Sequence, residues 1–559
     1  MTLYRNQLIV IKQNSIIMLD IVIANTNQTV QVQEGTYLLQ LLESTDIENK
    51  GGIVGATMNN RPAGLKTRLY MNRTIRFIGA SDTDGKMIYL NSLVLVLNKA
   101  VSEIIPGGKL RVEHSISDGL LCLITKDNVP VDTDTVTKLR SRMQEIIDAD
   151  KPIRQISTPT TYAIKLFTER GLDSIASILR YRKNFYTTYF TLEDTIDFFI
   201  GTLVPSTGYL KKFNLQPYYD GILLQGFADI TLMPKLYQTY KNNWSLERKA
   251  RLTNIADLNS ISVDQQSILI KISEALHEKN VVRISDKITG NPNIRVVLIA
   301  GPSSSGKTTF SKRLSVQIAA SGVKPIALSL DNYFINRADT PLDENGEHDF
   351  ETLYSLDLER FHTDLQSLID GNEVETPIYN FETGKREPKG VKMRLGNNEV
   401  LVIEGLHAIN PELTKTLPQE ALFKVFVSAL NTLSFNDHNC IPADDTRLLR
   451  RIIRDYKYRK YSAEETILRW PSVRRGEKKW IEPFQESVDE MFNSSLLFEL
   501  AVVRHQAETL LFDVPHYSDA YPVAHRLIRL LNFIKPISFD NIPAISLLRE
   551  FLGGSGFKY

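Results

Sequence analysis

A glycine-lysine loop, two strand-end carboxylates and a run of arginines are the residues of this chain whose types and spacing can do chemistry. Gly301-x-x-x-x-Gly306-Lys307-Thr308 follows the apolar run VVLIA and precedes TFSKRLSVQIAAS. Backbone N–H groups of such a loop, with a helix N-terminus behind them, face an anion, and the glycines permit the close wrap. Lys307 would reach terminal phosphates as a point charge, and the Thr308 hydroxyl suits Mg²⁺. A Gly/Ser-rich turn without a ligand is the bland alternative; the strand before and the helix after argue against it. Gly301, Ser303, Ser304, Ser305, Gly306, Lys307, Thr308 and Thr309 are the expected nucleotide-binding residues.

Asp331 ends the run KPIALSLD and so falls at the carboxyl edge of a strand, where open α/β sheets bind ligands. A phosphoryl acceptor hydroxyl needs a carboxylate there to orient it and take its proton, although an Asp can also simply cap the next turn. Glu404 follows the strand EVLVIE, the place for a carboxylate that holds the metal opposite Thr308. The segment DDTRLLRRIIRDYKYRKY packs Arg447, Arg450, Arg451, Arg454 and Arg459 into one expected helix. Such arginines can clamp a transferring phosphoryl group or form a solvated ion-pair ladder; the excess of five arginines over the aspartates of the segment favours the clamp.

These residues need elements to hold them. From Arg295 onward, continuous apolar runs alternate with helical segments, the signature of a buried parallel sheet with crossover helices. Earlier, Ile16 to about Gly85 reads as short alternating strands with one helical period, a compact β-grasp-like module. Longer helical stretches follow, mixed with short strands, as in an α+β domain. The expected division is 1–85, 86–240, a helical linker at 241–285, an α/β domain at 286–540, and a flexible tail at 541–559.

Composition sets outer limits. At 559 residues the chain should hold about three domains. Lys plus Arg number 66 against 65 Asp plus Glu, so no global field gathers nucleic acid or an anionic membrane. Two cysteines, Cys122 and Cys440, build neither a disulfide framework nor a Cys-rich zinc site, which fits a reducing compartment, with cytoplasm the default. The N-terminal apolar run is broken by Lys12, Gln13 and Asn14 with no cleavage site after it, and no later stretch approaches the roughly 18 apolar residues of a membrane span.

With those motifs in view, residues 290 to about 520 resemble the uridine kinase and phosphoribulokinase family, whose P-loop fold phosphorylates a small alcohol with ATP. Asp331 in SLDNYF matches the family's catalytic-base position, and HDFETLYSLD resembles its FDHPDAFD segment, placing Glu351 where ribose hydroxyls are held. PIYNFETGKR resembles the PxYDFxxHxR element, retaining Tyr379, Phe381 and Arg386, and DTRLLRRIIRD is close to the arginine lid, implying Arg451 and Arg454 near phosphates and acceptor. Three positions depart from the pattern, all at the acceptor end: Gly384 stands where a histidine meets the pyrimidine, Tyr461 where a lid arginine stands, and Arg469 for a glutamine.

The N-terminal half resembles other families. Residues of about 20–80 are similar to a TGS domain, and about 86–225 to the second, editing-type domain of threonyl-tRNA synthetase, on SLVLVLNKAVSEIIPGGKLRVEHSISDGLLC and GTLVPSTGYLKKFNL. Editing there uses an HxxxH pair with a later Cys and His; this chain has Asn91 and Leu95, then Phe199 and Leu203, none able to bind a metal or shuttle a proton. His114 is nearby but alone, and reads as a hydrogen-bonded structural residue.

The combined expectation is a multi-domain α/β protein: an ATP- and Mg²⁺-dependent kinase of the uridine/cytidine 5′-hydroxyl with a TGS- and synthetase-like N-terminal extension. Lys307, Asp331, Arg451 and Arg454 would be catalytic; Glu351, Tyr379, Phe381, Arg386 and Arg451 would hold the acceptor; Thr308 and Glu404 would hold the metal. A different small alcohol, such as a sugar phosphate or pantothenate-like acceptor, is the first alternative. A nucleotide-switched RNA- or regulator-binding protein is the second, and Lys211 with Lys212 is its compact basic hint. A homo-oligomer without membrane contact is expected.

Overall fold

Period-two alternation in the first 80 residues produces a five-stranded mixed sheet. In the computed structural model, which describes residues 17–558 apart from positions 49, 117–118, 128, 228–230, 250–251, 345, 347, 432 and the side chains of 244–249, the strands are β1 (Met18–Ile23), β2 (Gln28–Gln33), β3 (Ile53–Met58), β4 (Arg61–Ala63) and β5 (Arg73–Gly79). The apolar run expected at residues 1–16 lies outside the described residues. Their order is β2-β1-β5-β3-β4, with β1 parallel to β5 and the other pairs antiparallel. Leu19, Ile21 and Ile23 face inward onto α1 (Leu38–Glu43), whose Leu38 and Leu41 are fully buried.

α2 (Thr83–Ile104) runs into an antiparallel sheet of β6 (Lys109–Ile116), β7 (Gly119–Lys126), β12 (Asn214–Tyr218) and β13 (Gly221–Gln225), with β8 (Val129–Pro130) pairing with β7. α3 (Thr133–Asp148) packs on α2. A second sheet of β9 (Ile153–Pro159), β10 (Tyr186–Leu192) and β11 (Thr195–Asp197) carries α4 (Thr160–Glu169) and α5 (Asp173–Tyr181). Contrary to expectation, α2 is long and apolar enough to cross a bilayer by length and composition; it is the central helix of this core, with Leu93, Leu95 and Leu97 fully buried. His114 is buried and stacks on Tyr240 at 5.1 Å, and burial pushes its pKa down to about 4.

α6 (Pro234–Lys249), α7 (Ile255–Ser260) and α8 (Val263–Thr289) follow. The segment 241–285, expected as a linker, is helical but not free-standing: Leu269, Val281 and Ile284 of α8 belong to the main core. Arg313 further ties Glu274 and Glu278 of α8 to the helix after the phosphate loop.

The C-terminal sheet is wholly parallel, in the order β15-β20-β14-β21-β22, from β14 (Val296–Ala300), β15 (Lys324–Ser329), β20 (Glu399–Glu404), β21 (Leu422–Ser428) and β22 (Glu490–Asn493). Every residue of β14 is buried, as a central strand covered on two faces requires. Its helices are α9 (Lys307–Ala320), α10 (Leu358–Ile369), α11 (Ala443–Arg459), α12 (Ala463–Trp480), α13 (Glu499–Phe512) and α14 (Tyr521–Leu531). Between α10 and β20 lie two short ribbons, β16 (Val374–Thr376) with β19 (Val391–Met393), and β17 (Tyr379–Asn380) with β18 (Lys385–Arg386).

The tail expected at 541–559 is instead packed over residues 546–552. Leu547, Leu548 and Phe551 are fully buried around α15 (Arg549–Leu552), which lies against α11. Three apolar side chains within five residues remove more surface from water than a loose chain end would forgo.

The loop between β21 and α11 joins the two halves. Val112 N–H donates to the Asp437 carbonyl, Asn439 donates to the Phe198 carbonyl, and Ser174 donates to Asp437. His438 meets Asp197 at 2.8 Å with neither exposed above a few per cent. Burial opposes a charge on His438, but Asp197 prevails and raises its pKa.

Candidate active site

β14 delivers the chain into the phosphate loop at the carboxyl edge of the sheet. Gly301 has no room for a side chain, since a Cβ there would stand 2.1 Å from the Val427 carbonyl oxygen. Gly306 caps α9 at φ +88, the left-handed region that glycine enters without cost. The loop is held from behind by α11 and α12. Arg447 donates to the Ser303 carbonyl at 3.1 Å and pairs with Glu477, which also accepts from the Ser303 N–H at 2.7 Å. Arg450, completely buried, pairs with Glu499 and donates to Ser494 at 3.0 Å while facing the Ser304 and Ser305 carbonyls. Burial works against the Glu477 charge, but Arg447 and Arg474 hold its carboxyl below the usual range.

A cavity of about 1170 Å³ opens in front of the loop. Ser303, Ser304, Gly306, Lys307, Thr308, Asp331, Glu351, Tyr379, Phe381, Glu404, Arg451 and Arg454 line it, so most of the expected site residues share one space. Four expected residues do not line it. Gly301 and Ser305 shape the loop behind it, Thr309 is turned to the C-terminal segment, and Arg386 does other work.

Beside the loop, the Thr308 hydroxyl lies 3.4 Å from Glu404 Oε1, and Ser329 donates to the same oxygen at 3.3 Å. Burial first, and the nearby Asp331 second, push the Glu404 carboxyl up to about 7. A hydroxyl beside two crowded carboxylates is an all-oxygen donor set that fits Mg²⁺, whose charge would relieve the crowding. Among the described residues there is no separate cluster of three His, Cys, Asp or Glu side chains for a metal.

α11 presents its remaining arginines to the cavity. Arg451 donates to the Ser303 hydroxyl at 2.8 Å, and Arg451, Arg454 and Arg459 all converge on Asp455. Three guanidiniums around one carboxylate leave surplus positive charge, and the Arg454 charge, with burial, lowers the Arg459 pKa to about 10. Such a group gains from an anion in the cavity.

Around Tyr379 the cavity wall is aromatic and basic. Phe334, Tyr379 and Phe381 form a cluster with ring centroids 5.1–6.1 Å apart. Glu351, pushed up to about 7 chiefly by burial, stands against Gly476 of α12, where a Cβ would come within 2.2 Å of it. Arg386, expected to touch substrate, is a brace: it donates to the Tyr333 and Phe334 carbonyls at 2.9 and 3.0 Å and pairs with Asp357 at 2.8 Å. These contacts fix the turn that carries Asp331.

Gly384 acquires a reason here. It has φ +67, and Arg337 packs over it so closely that a Cβ would be 2.9 Å from that side chain. Arg337, which also donates to the Phe381 carbonyl at 2.8 Å, lines the cavity and was not anticipated from the sequence. Arg469 stacks on Tyr461 at 4.2 Å, so those two departures form a matched pair. Glu477, Glu499 and Glu550 were equally unforeseen; no motif marks a carboxylate whose partner is brought in by folding.

Residues 296–496 match the model of the Phosphoribulokinase / Uridine kinase family. A uridine kinase of Ureaplasma parvum serovar 3 is 28% identical over 178 residues, covering 32% of this chain and 77% of that protein. The uridine kinase of Ligilactobacillus salivarius is 27% identical over 195 residues, 35% of this chain and 82% of its own. That of Deinococcus deserti is 29% identical over 205 residues, 36% of this chain and 88% of its own. The loop, the strand-end carboxylates and the α11 arginines all fall inside the matched region, and it is to this kinase family that the region 296–496 of the chain is similar.

Proposed function

We propose that the chain transfers the γ-phosphoryl group of ATP to the 5′-hydroxyl of a nucleoside, uridine or cytidine first. The observation that carries this is the convergence of Lys307, Thr308, Asp331, Glu404, Arg451 and Arg454 on one cavity beside an aromatic cluster. Lys307 and the loop N–H groups hold the β- and γ-phosphates. Thr308 and Glu404 would hold Mg²⁺, which when bound supplies charge neutralisation on the phosphates. Asp331 orients the acceptor hydroxyl and takes its proton, while Arg451 and Arg454 stabilise charge spread over the transferring group. Glu351 accepts from sugar hydroxyls, and Tyr379 with Phe381 flank the base.

Arg337 favours a second reading. A guanidinium packed where the family's histidine meets a pyrimidine suits an acceptor bearing an anionic group, such as a sugar phosphate, as well as a base carbonyl. Calorimetric titration of uridine, cytidine and ribose 5-phosphate onto the protein saturated with Mg²⁺ and a non-hydrolysable ATP analogue separates the two. Nucleoside binding supports the first reading; binding of the sugar phosphate alone replaces it with the second.

We extend the same reading to the N-terminal half as a TGS-like module and a synthetase-like domain without editing chemistry. Its support is the order of the mixed sheet and the burial of Leu95, Phe199 and Leu203 in an apolar core.

A further inference from the structure

The C-terminal segment touches the phosphate loop while packed against α11. Leu547 lies against Gly306, where a Cβ would be 2.6–2.8 Å from its side chain. Phe551 lies under the Arg450 guanidinium at 5.3 Å, and the Leu552 carbonyl accepts from Lys457 of α11. Between these anchors Glu550 lines the large cavity, and its Oε2 accepts from the Thr309 hydroxyl at 2.6 Å and the Thr309 N–H at 3.2 Å. Among the described residues Glu550 forms no ion pair, and it stands near a second carboxylate, Glu404.

Thr309 is the third residue of α9, so its N–H has no intrahelical carbonyl to donate to and points the way an anion would be received. In a phosphate loop those first-turn donors, continuing from the loop itself, cradle the α- and β-phosphates. An uncompensated carboxylate on that donor stands where the donor nucleotide's α-phosphate would be received, and two anions cannot share it.

We propose that Glu550 is a positioning residue of the donor site: a carboxylate built into the C-terminal segment that holds the Thr309 donors until the α-phosphate of the nucleotide displaces it. The segment thereby sets the affinity for the phosphoryl donor. This rests on the nucleotide reading of the loop. Its strength lies in the anchoring: Leu547 and Phe551 fix the backbone on each side, so the Glu550 side chain can swing away without the segment leaving.

The test measures the dissociation constant of ADP for the full chain by calorimetry, with Glu550→Gln and Glu550→Ala beside the unaltered protein, and records melting temperatures without nucleotide. Tightening of ADP about fivefold in each variant, with a matching fall in donor KM, is the expected result. A purely structural role would lower the melting temperature and weaken ADP. Equal or weaker ADP binding in the variants overturns the proposal. Lys307→Ala separates the two levels: if ADP binds the unaltered chain no better than Lys307→Ala, the nucleotide reading itself fails.

Discussion

Asp331 and Arg386 stand a few residues apart in the folded site yet should fail in different ways. With Asp331 as the proposed proton acceptor and the loop as the proposed nucleotide grip, Asp331→Asn should lower kcat about 10²–10⁴-fold with ADP affinity held within twofold. Equal loss of nucleotide affinity would contradict the assignment. Arg386→Ala removes two hydrogen bonds to the Asp331 turn and the pair with Asp357, so kcat should fall about tenfold with the acceptor KM nearly unchanged. A raised acceptor KM with full kcat would instead make Arg386 a substrate ligand. The motif element PIYNFETGKR placed Arg386 beside the acceptor because spacing records neighbourhood, not aim; whether a guanidinium faces a cavity or its own backbone is decided by folding. Arg337 shows the converse. Nothing around it in NRADT marks it, yet in the fold it packs over the left-handed turn at Gly384 and lines the cavity.

At the scale of elements, α11 has two jobs on two sides. Arg447 and Arg450 face inward, exposed 4% or less, and carry the loop carbonyls and the Glu477 and Glu499 pairs; Arg451 and Arg454 face the cavity. Arg450→Met should leave Glu499 buried without its partner and cost about 3–5 kcal/mol, read as a lower urea midpoint together with lost nucleotide binding. An unchanged midpoint would mean that the pair is not what holds the loop. The sequence reading of DDTRLLRRIIRD as a phosphate clamp covers half of this helix; periodicity separates its faces but cannot say which face meets the loop. The parallel sheet was legible because strands such as VVLIA, covered on two faces, read as unbroken apolar runs. EFLGGSGFKY read as a tail for the opposite reason. Its glycines dominate the local pattern, and the burial of Leu547, Leu548 and Phe551 depends on surfaces hundreds of residues away.

Across the whole molecule, the two halves are locked through the loop before α11 rather than strung on a linker. His438 faces Asp197 directly, with Asp437, the Leu110 carbonyl, and the Asp445–Arg526 pair around it. Its folded pKa is raised, so the stability it contributes is fully present below the ordinary histidine value of about 6.5 and is lost as pH rises through the raised value. His438→Asn should therefore cost about 3 kcal/mol at pH 6, and the gap in melting temperature from the unaltered chain should narrow between pH 6 and pH 9. A gap that widens with pH would show that the pair is not the lock. What the cavity does is read from coupled ADP release with Mg-ATP across uridine, cytidine, other nucleosides, pantothenate and sugar phosphates, with Lys307→Ala as the blank. Turnover on a pyrimidine nucleoside, absent in the blank, is expected; turnover confined to another alcohol, or none with any acceptor, would overturn the nucleoside kinase assignment.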